Sequence, residues 1–160
     1  MNALIEIQRR SYASATAGLR AAWPERQALD AEGLDALLRR HRYCVLATAR
    51  ADGRAHAAPV AFAVANGGFW IATVEGLRLR NLRAQPWASL VVMEDDADVG
   101  EAGEPHRAVT AEGPVELHEV AAVWPRLEAE WLARHGHPPD WAEAFVELRP
   151  VRVFSHDASR

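Results

Sequence analysis

The stretch Tyr43-Cys-Val-Leu-Ala-Thr-Ala-Arg50-Ala-Asp-Gly-Arg54 decides the fold, because a near-continuous apolar run ends in a dipeptide, Asp52-Gly53, that favours a tight hairpin. Glycine accepts the positive φ that such a turn needs. The strand that follows runs from Arg54 to about Val64, and its two faces differ. Ala55, Ala57, Pro59, Ala61 and Ala63 fall on one side, His56, Ala58, Val60, Phe62 and Val64 on the other, because side chains alternate along a strand. One face is therefore nearly bare. Asn66-Gly67-Gly68 gives a second hairpin signal before Phe69-Trp-Ile-Ala-Thr-Val74, so the three strands form a meander.

Outward from this meander the period changes. On the amino-terminal side, Leu34, Leu37 and Leu38 form a helical stripe behind Asp30 as N-cap and Glu32 in the first turn. Ala3 to Arg20 reads as one amphipathic helix, and Ala21 to Leu29 as a connection. On the carboxy-terminal side, Gly76 starts a short helix that Gln85-Pro86 closes, and Trp87-Ala-Ser-Leu-Val-Val-Met93 is a fourth strand. The acidic run Glu94 to Glu104 lacks the spacing of a calcium loop and reads as a solvated loop. His106 to Glu119 is a long strand bent at Gly113-Pro114, and Val123 to Arg134 a helix with Pro125 in its first turn. Phe145 to His156 returns to strand, interrupted at Pro150. Hairpin-linked strands with singly inserted helices imply a mainly β, α+β domain built on an antiparallel barrel, and argue against a parallel doubly wound sheet.

Composition narrows the function. With 160 residues, the chain is long enough for a core that needs neither metal nor disulfide. Cys44 is the single cysteine, and with no export signal visible the cytoplasm is the expected compartment. No apolar run approaches the roughly 20 residues that span a bilayer, so no membrane association is expected. A net charge of −4 argues against nucleic acid as a partner. All 18 basic residues are arginine, which excludes lysine Schiff-base chemistry and leaves anion binding to guanidinium and backbone N–H groups.

Phosphate-loop, dinucleotide, nucleophile-elbow and metalloprotease patterns are all missing. His135-Gly-His137 reads as a surface loop without a third ligand, so no metal site is expected, and Cys44 as a small buried hydrophobe. The chemistry concentrates in Thr73-Val-Glu-Gly-Leu-Arg-Leu-Arg-Asn-Leu82, where a strand ends and a helix begins at glycine. Such a junction offers free N–H groups and a positive helix end to a phosphate, with Arg78 in the first turn as a second contact. Beside it, the alanine-lined strand lets a flat ring lie against backbone.

Val45-Leu-Ala-Thr48, Asp52-Gly-Arg54, His56, Pro59-Val60, the strand ending in Thr73, Arg78-Leu-Arg-Asn-Leu82, Pro86, Ser89-Leu-Val-Val92 and Glu112-Gly113 resemble the split β-barrel flavin-binding proteins. This superfamily includes pyridoxamine 5'-phosphate oxidase and enzymes of the deazaflavin coenzyme. The likeness runs from Leu37 to Glu119. It implies a helical extension over residues 1–36 and a split-barrel domain over 37–160. It also implies a homodimer with the cofactor at the subunit interface, against Ala58, Pro59, Val60, Ala61 and Phe62 and against Ala72 and Thr73, with Arg78 and Asn81 from the following helix. Arg78 matches the family's phosphate-binding lysine; Arg107 matches an arginine of the oxidase pattern, and His106 falls where relatives place an aromatic ring. Ala55 stands where proline is common, and the carboxy-terminal tryptophan and arginine pattern of the true oxidase is missing, so pyridoxamine phosphate oxidation is not expected.

The resemblance implies an FMN-binding oxidoreductase that passes a hydride between cofactor and a small-molecule substrate, since the cofactor supplies the reactive atom. One alternative replaces FMN by the deazaflavin coenzyme (F-420); another is a non-enzymatic binder of a flavin, haem or other planar ligand. No catalytic residue stands out: His56 is a proton donor by residue type and an edge-strand polar residue by position. Trp124 and Trp131, seven apart on one helix face, are expected to turn that helix inward.

Overall fold

The Asp52-Gly53 turn forms as its chemistry requires, Gly53 taking a φ of +83°, and it joins β1 (Tyr43–Ala49) to β2 (Ala55–Ala65) in an antiparallel pair. The computed structural model describes residues 1–94 and 106–160. The acidic stretch beyond Glu94 lies outside them. Among the described residues the further strands are β3 (Gly68–Thr73), β4 (Trp87–Met93), β5 (Arg107–Glu119), β6 (Ala144–Leu148) and β7 (Arg152–Asp157). Pairing runs β4-β1-β2-β3-β6-β5, and β4 also pairs with β5, which closes a six-stranded antiparallel barrel; β7 is added outside β5.

Two strands change partner part-way, and this splits the barrel. β2 pairs with β1 up to Ala61 and with β3 from Phe62. β5 pairs with β7 up to Glu112 and with β6 from Val115. The change occurs at Gly113-Pro114, and the glycine is obligatory there. A Cβ at residue 113 would stand 2.1 Å from the Arg149 carbonyl oxygen and 3.1 Å from Pro150 Cα. The expected strand from Phe145 to His156 is two strands, because Arg149-Pro150-Val151 turns the chain from β3's side of the barrel to the outside of β5.

Alternation along β1 sends Cys44, Leu46 and Thr48 inward, where Cys44 and Leu46 join Val60, Phe62, Phe69, Ile71, Leu90 and Val146 in one apolar core. The leucine stripe of α3 (Ala31–Arg40) closes one end of it: Leu34, Leu37 and Leu38 are all buried, and Asp30 caps the helix on the Gly33 N–H at 2.9 Å. The helix α4 (Leu77–Ala84) adds Leu79 and Leu82. A second cluster forms on the bare face of β2. Ala61, Ala63 and Ala65 with Trp70 and Phe145 receive Val123, Leu127 and Trp131 of α5 (Val120–His135). Small side chains on the strand thus admit a helix, and Trp131 is 1% exposed, as the inward expectation required.

Three helical expectations need correction. The amino-terminal helix is two, α1 (Asn2–Ala13) and α2 (Ala17–Ala22), because the Thr16 hydroxyl accepts from the Leu19 N–H and starts a new helix. The helix α5 springs directly from β5 at Val120, so Pro125 lies in its second turn and removes a hydrogen bond to Ala121. His135 is its last residue rather than part of a loop. The helix α1 lies against β7: the Val153 N–H donates to Ser11 Oγ (3.0 Å) and the Tyr12 hydroxyl donates to the Ser155 carbonyl (2.7 Å). Around them Gln8 Nε2 donates to Leu29 O, Leu29 N–H to Ser155 Oγ, and Ser155 Oγ to Gln8 Oε1, a closed ring in the interior.

Candidate functional site

Where β3 ends and α4 begins, the walls of a cavity of about 400 Å³ come together. Its floor is Val60 and Ala61 of β2 and Ala72 of β3, small enough to bring backbone close to a ligand. Thr73 and Arg78 form one side. Trp131 and His135 of α5 also line the cavity, and the exposed Tyr43, His137 and Trp141 stand at the rim. A volume in the range of about 300–1,000 Å³ with an apolar lining and few polar groups is the usual form of a small-molecule site.

Arg78 is the cation of the site. Its Nη1 donates to Thr73 Oγ1 at 2.5 Å, while its Nε is buried without a partner among the described residues. Burial pulls its pKa below the ordinary arginine value, with the Cys44 thiol opposing. It stays charged at neutral pH, because a guanidinium does not lose its proton in a protein. The helix α4 begins at Gly76, which offers no side-chain cap, and its first hydrogen bond runs from Arg80 N–H to Gly76 O. The preceding N–H groups are left for an outside acceptor. Two carboxylates lie beside this junction: Glu143 accepts from the Glu75 N–H at 2.5 Å, and Glu75 is paired with Arg83 at 2.7 Å.

The cavity gathers Pro59, Val60, Ala61, Ala72, Thr73 and Arg78 from the expected residues. Others lie apart from it. Ala58 is half-buried on the inward-alternating side of β2, and Phe62 is in the core, with its ring under the Arg134 guanidinium at 4.7 Å. Asn81 is buried and donates to Thr48 Oγ1 at 2.9 Å, which ties α4 to β1. His106 and Arg107 stand at the start of β5, where Glu94, 2% exposed, accepts from the Arg107 N–H and Nε at 3.0 Å and Nη2 at 2.6 Å. His56 is half-buried, with Nδ1 unpartnered among the described residues.

Tyr43, Trp131, His135, His137 and Trp141 were not singled out as site residues by the sequence. Only the inward turn of α5 could have pointed to Trp131 and His135. The His135 ring stacks on Trp131 (4.2 Å, 29°), and its Nε2 lies 3.0 Å from the Phe62 carbonyl. A further polar group sits on the outer wall, where ligand atoms of Glu116, His118 and Glu147 fall within 4.8 Å of one another. Arg149 already supplies the cation there, at 2.8 Å from both carboxylates. Among the described residues no helix is long and apolar enough to cross a membrane.

A family model described as pyridoxamine 5'-phosphate oxidase matches residues 31–157. The chain belongs to this family. Solved structures place the family's split barrel on most of the chain. A conserved hypothetical protein of Mycobacterium tuberculosis is 22% identical, with a TM-score of 0.70 over 85% of this chain and 89% of its own. A FAD-binding protein of Mesorhizobium loti is 22% identical, with a TM-score of 0.66 over 84% and 97%. The haem storage protein HutZ of Vibrio cholerae is 17% identical, with a TM-score of 0.61 over 79% and 94%. At these identities the likeness is one of fold. Comparison with curated proteins finds no match.

Proposed function

We propose that this family member binds FMN in the β3–α4 cavity and works as an oxidoreductase on a small substrate. The observation that carries this reading is Arg78, a half-buried cation whose Nε has no partner among the described residues, beside the uncapped start of α4. A guanidinium next to unsatisfied backbone N–H groups fits a phosphate dianion. The bare floor of Val60, Ala61 and Ala72 fits a flat ring. When bound, FMN supplies the hydride-accepting ring. The chain's part is to anchor the phosphate at Arg78, hold the ring against β2 and β3, and exclude water with Trp131 and Tyr43.

The reading includes a homodimer, and the outer face of the barrel supports it. Val45 pairs with Pro59 on one side and Val91 on the other, so β1, β2 and β4 present one apolar surface. Tyr43 (63% exposed), Val45 (44%), Trp87 (48%) and Met93 (57%) stand out from it. Contiguous exposed apolar surface of this kind marks an interface. Tyr43 and Pro59 belong both to this face and to the cavity, so a second copy would cover its mouth.

Titration of the purified protein with FMN, riboflavin, FAD and the deazaflavin coenzyme (F-420), followed by fluorescence, tests the reading. FMN should bind tightly, and Arg78→Ala should weaken it about tenfold to a hundredfold, the equivalent of one charged hydrogen-bonding contact, while leaving riboflavin unchanged. Preference for F-420 would replace the cofactor but keep the site. Binding of none of them would overturn the proposal, and a bound flavin that no reductant turns over would leave a binding protein.

A further inference from the structure

We infer that His135 and Trp131 read the imide edge of the ring bound in this cavity, His135 Nδ1 accepting from the ring N–H and the Trp131 indole donating to the neighbouring carbonyl. This rests on the flavin reading and deepens it, because Arg78 accounts for the phosphate and nothing yet accounts for the other end of the ligand. Three observations carry the inference.

The tautomer of His135 is fixed by its neighbour. Its Nε2 faces the Phe62 carbonyl at 3.0 Å, and a carbonyl can only accept, so Nε2 carries the proton. In the neutral ring, Nδ1 is then left with its lone pair. The ring stays neutral: burial pulls its pKa below the ordinary value, the Phe62 hydrogen bond opposes this, and the nearby Arg134 and Arg42 charges add to the lowering. This is notable at the last residue of a helix, where the macrodipole would favour the cation.

The second observation is an unused donor. Trp131 is 1% exposed and lines the same cavity, yet its indole N–H has no partner among the described residues. A buried donor left unmade is costly, and a buried tryptophan N–H usually finds an acceptor. The third is position. The two rings are stacked at 4.2 Å, so an acceptor-bearing ring and a donor-bearing ring adjoin in the lining of the cavity that Arg78 and Thr73 also line. An adjacent donor and acceptor complement a ligand edge with an N–H beside a C=O. The isoalloxazine ring and its deaza analogue both carry that edge, as the imide of their pyrimidine ring. Tyr43, edge-on to His135 at 6.5 Å, closes the rim over it.

The test compares FMN with 3-methyl-FMN, which keeps the phosphate and the flat ring but has no imide N–H. The wild-type protein should bind the methylated compound at least tenfold more weakly. In His135→Phe that ratio should fall to near one, and His135→Gln, which restores an acceptor, should recover most of it. Trp131→Phe should weaken both compounds alike. A separate readout needs no variant: in a nitrogen-detected NMR spectrum of imidazole-labelled protein, the His135 Nδ1 resonance should move on addition of FMN and stay in place with 3-methyl-FMN. Equal affinity for the two compounds, or an unmoved Nδ1 resonance, would overturn the inference while leaving FMN binding intact. Failure of both compounds to bind would overturn the cofactor reading and the inference with it.

Discussion

Replacing Gly113 by alanine should damage the fold more than any other single methyl addition at a glycine described above. The added Cβ would stand 2.1 Å from the Arg149 oxygen and 3.0 Å from its carbonyl carbon, and both obstacles are backbone. A contact of that kind needs a displacement of roughly 1 Å, and rotamer changes cannot supply it. The turn cannot retreat freely. Arg149 N–H donates to Pro114 O at 3.0 Å and Val151 N–H donates to Glu112 O at 2.9 Å, so moving it away breaks two backbone hydrogen bonds. At about 1 kcal/mol net for each bond and about 1–3 kcal/mol for the overpacking, the loss is about 3–5 kcal/mol. For a domain of this size, each kcal/mol shifts Tm by roughly 2–4 °C, so a fall of about 6–20 °C is expected by calorimetry. Gly18→Ala is the control. It lies in α2 with nothing within 4 Å of the added carbon, and should be neutral or slightly stabilising. A Gly113→Ala protein that melts within a degree or two of wild type would refute the reasoning.

Other expectations follow from single features of the core and surface. Burial pushes the Cys44 thiol up to about 12, so a disulfide reagent should label the native protein negligibly at about pH 8 and label it fully in denaturant. Because burial lowers the pKa of His135 in the fold, the unfolded chain takes up the extra proton as the pH falls below about 6.5, and stability is lost there while remaining flat above. Thermal melts between about pH 7 and 5 should therefore slope less in His135→Gln than in wild type, and parallel slopes would count against this. Val45→Glu, at the centre of the β1–β2–β4 face, should convert a dimer to monomer in sedimentation velocity; a monomeric wild type would refute the proposed interface.

The barrel was legible because its local signals agree with its global pairing. Asp52-Gly53, Asn66-Gly67 and the alternation on either side fix three strands, and the leucines of α3 carry their own periodicity. What could not be read was any feature set by contacts distant in sequence. Gly113 is a bend in the sequence, and only the approach of Arg149 shows why it must be glycine. The alanines of β2 read as room for a ring, whereas Ala63 and Ala65 receive α5 and only Ala61 reaches the cavity. The site was half legible for the same reason. Thr73 and Arg78 sit in one local motif, but His135 and Trp131 join them through the return of a helix whose place on the barrel no local pattern encodes. Asn81 shows the converse, a polar residue in a binding-site motif whose amide is used to hold α4 on β1.

The side chains of α1 have a consequence for assembly. Among the described residues the strand β7 pairs with β5 on one side only, and its other side would present open backbone groups to any extended chain. Ser11 and Tyr12 engage two of them, at Val153 and Ser155, and the body of the helix blocks the approach. This helix lies ahead of residue 31, where the match to the family model begins. A chain trimmed to that match would lose Leu4 and Leu29 from the core and also gain a sticky seam, so that polymerisation through β7 would accompany its loss of stability.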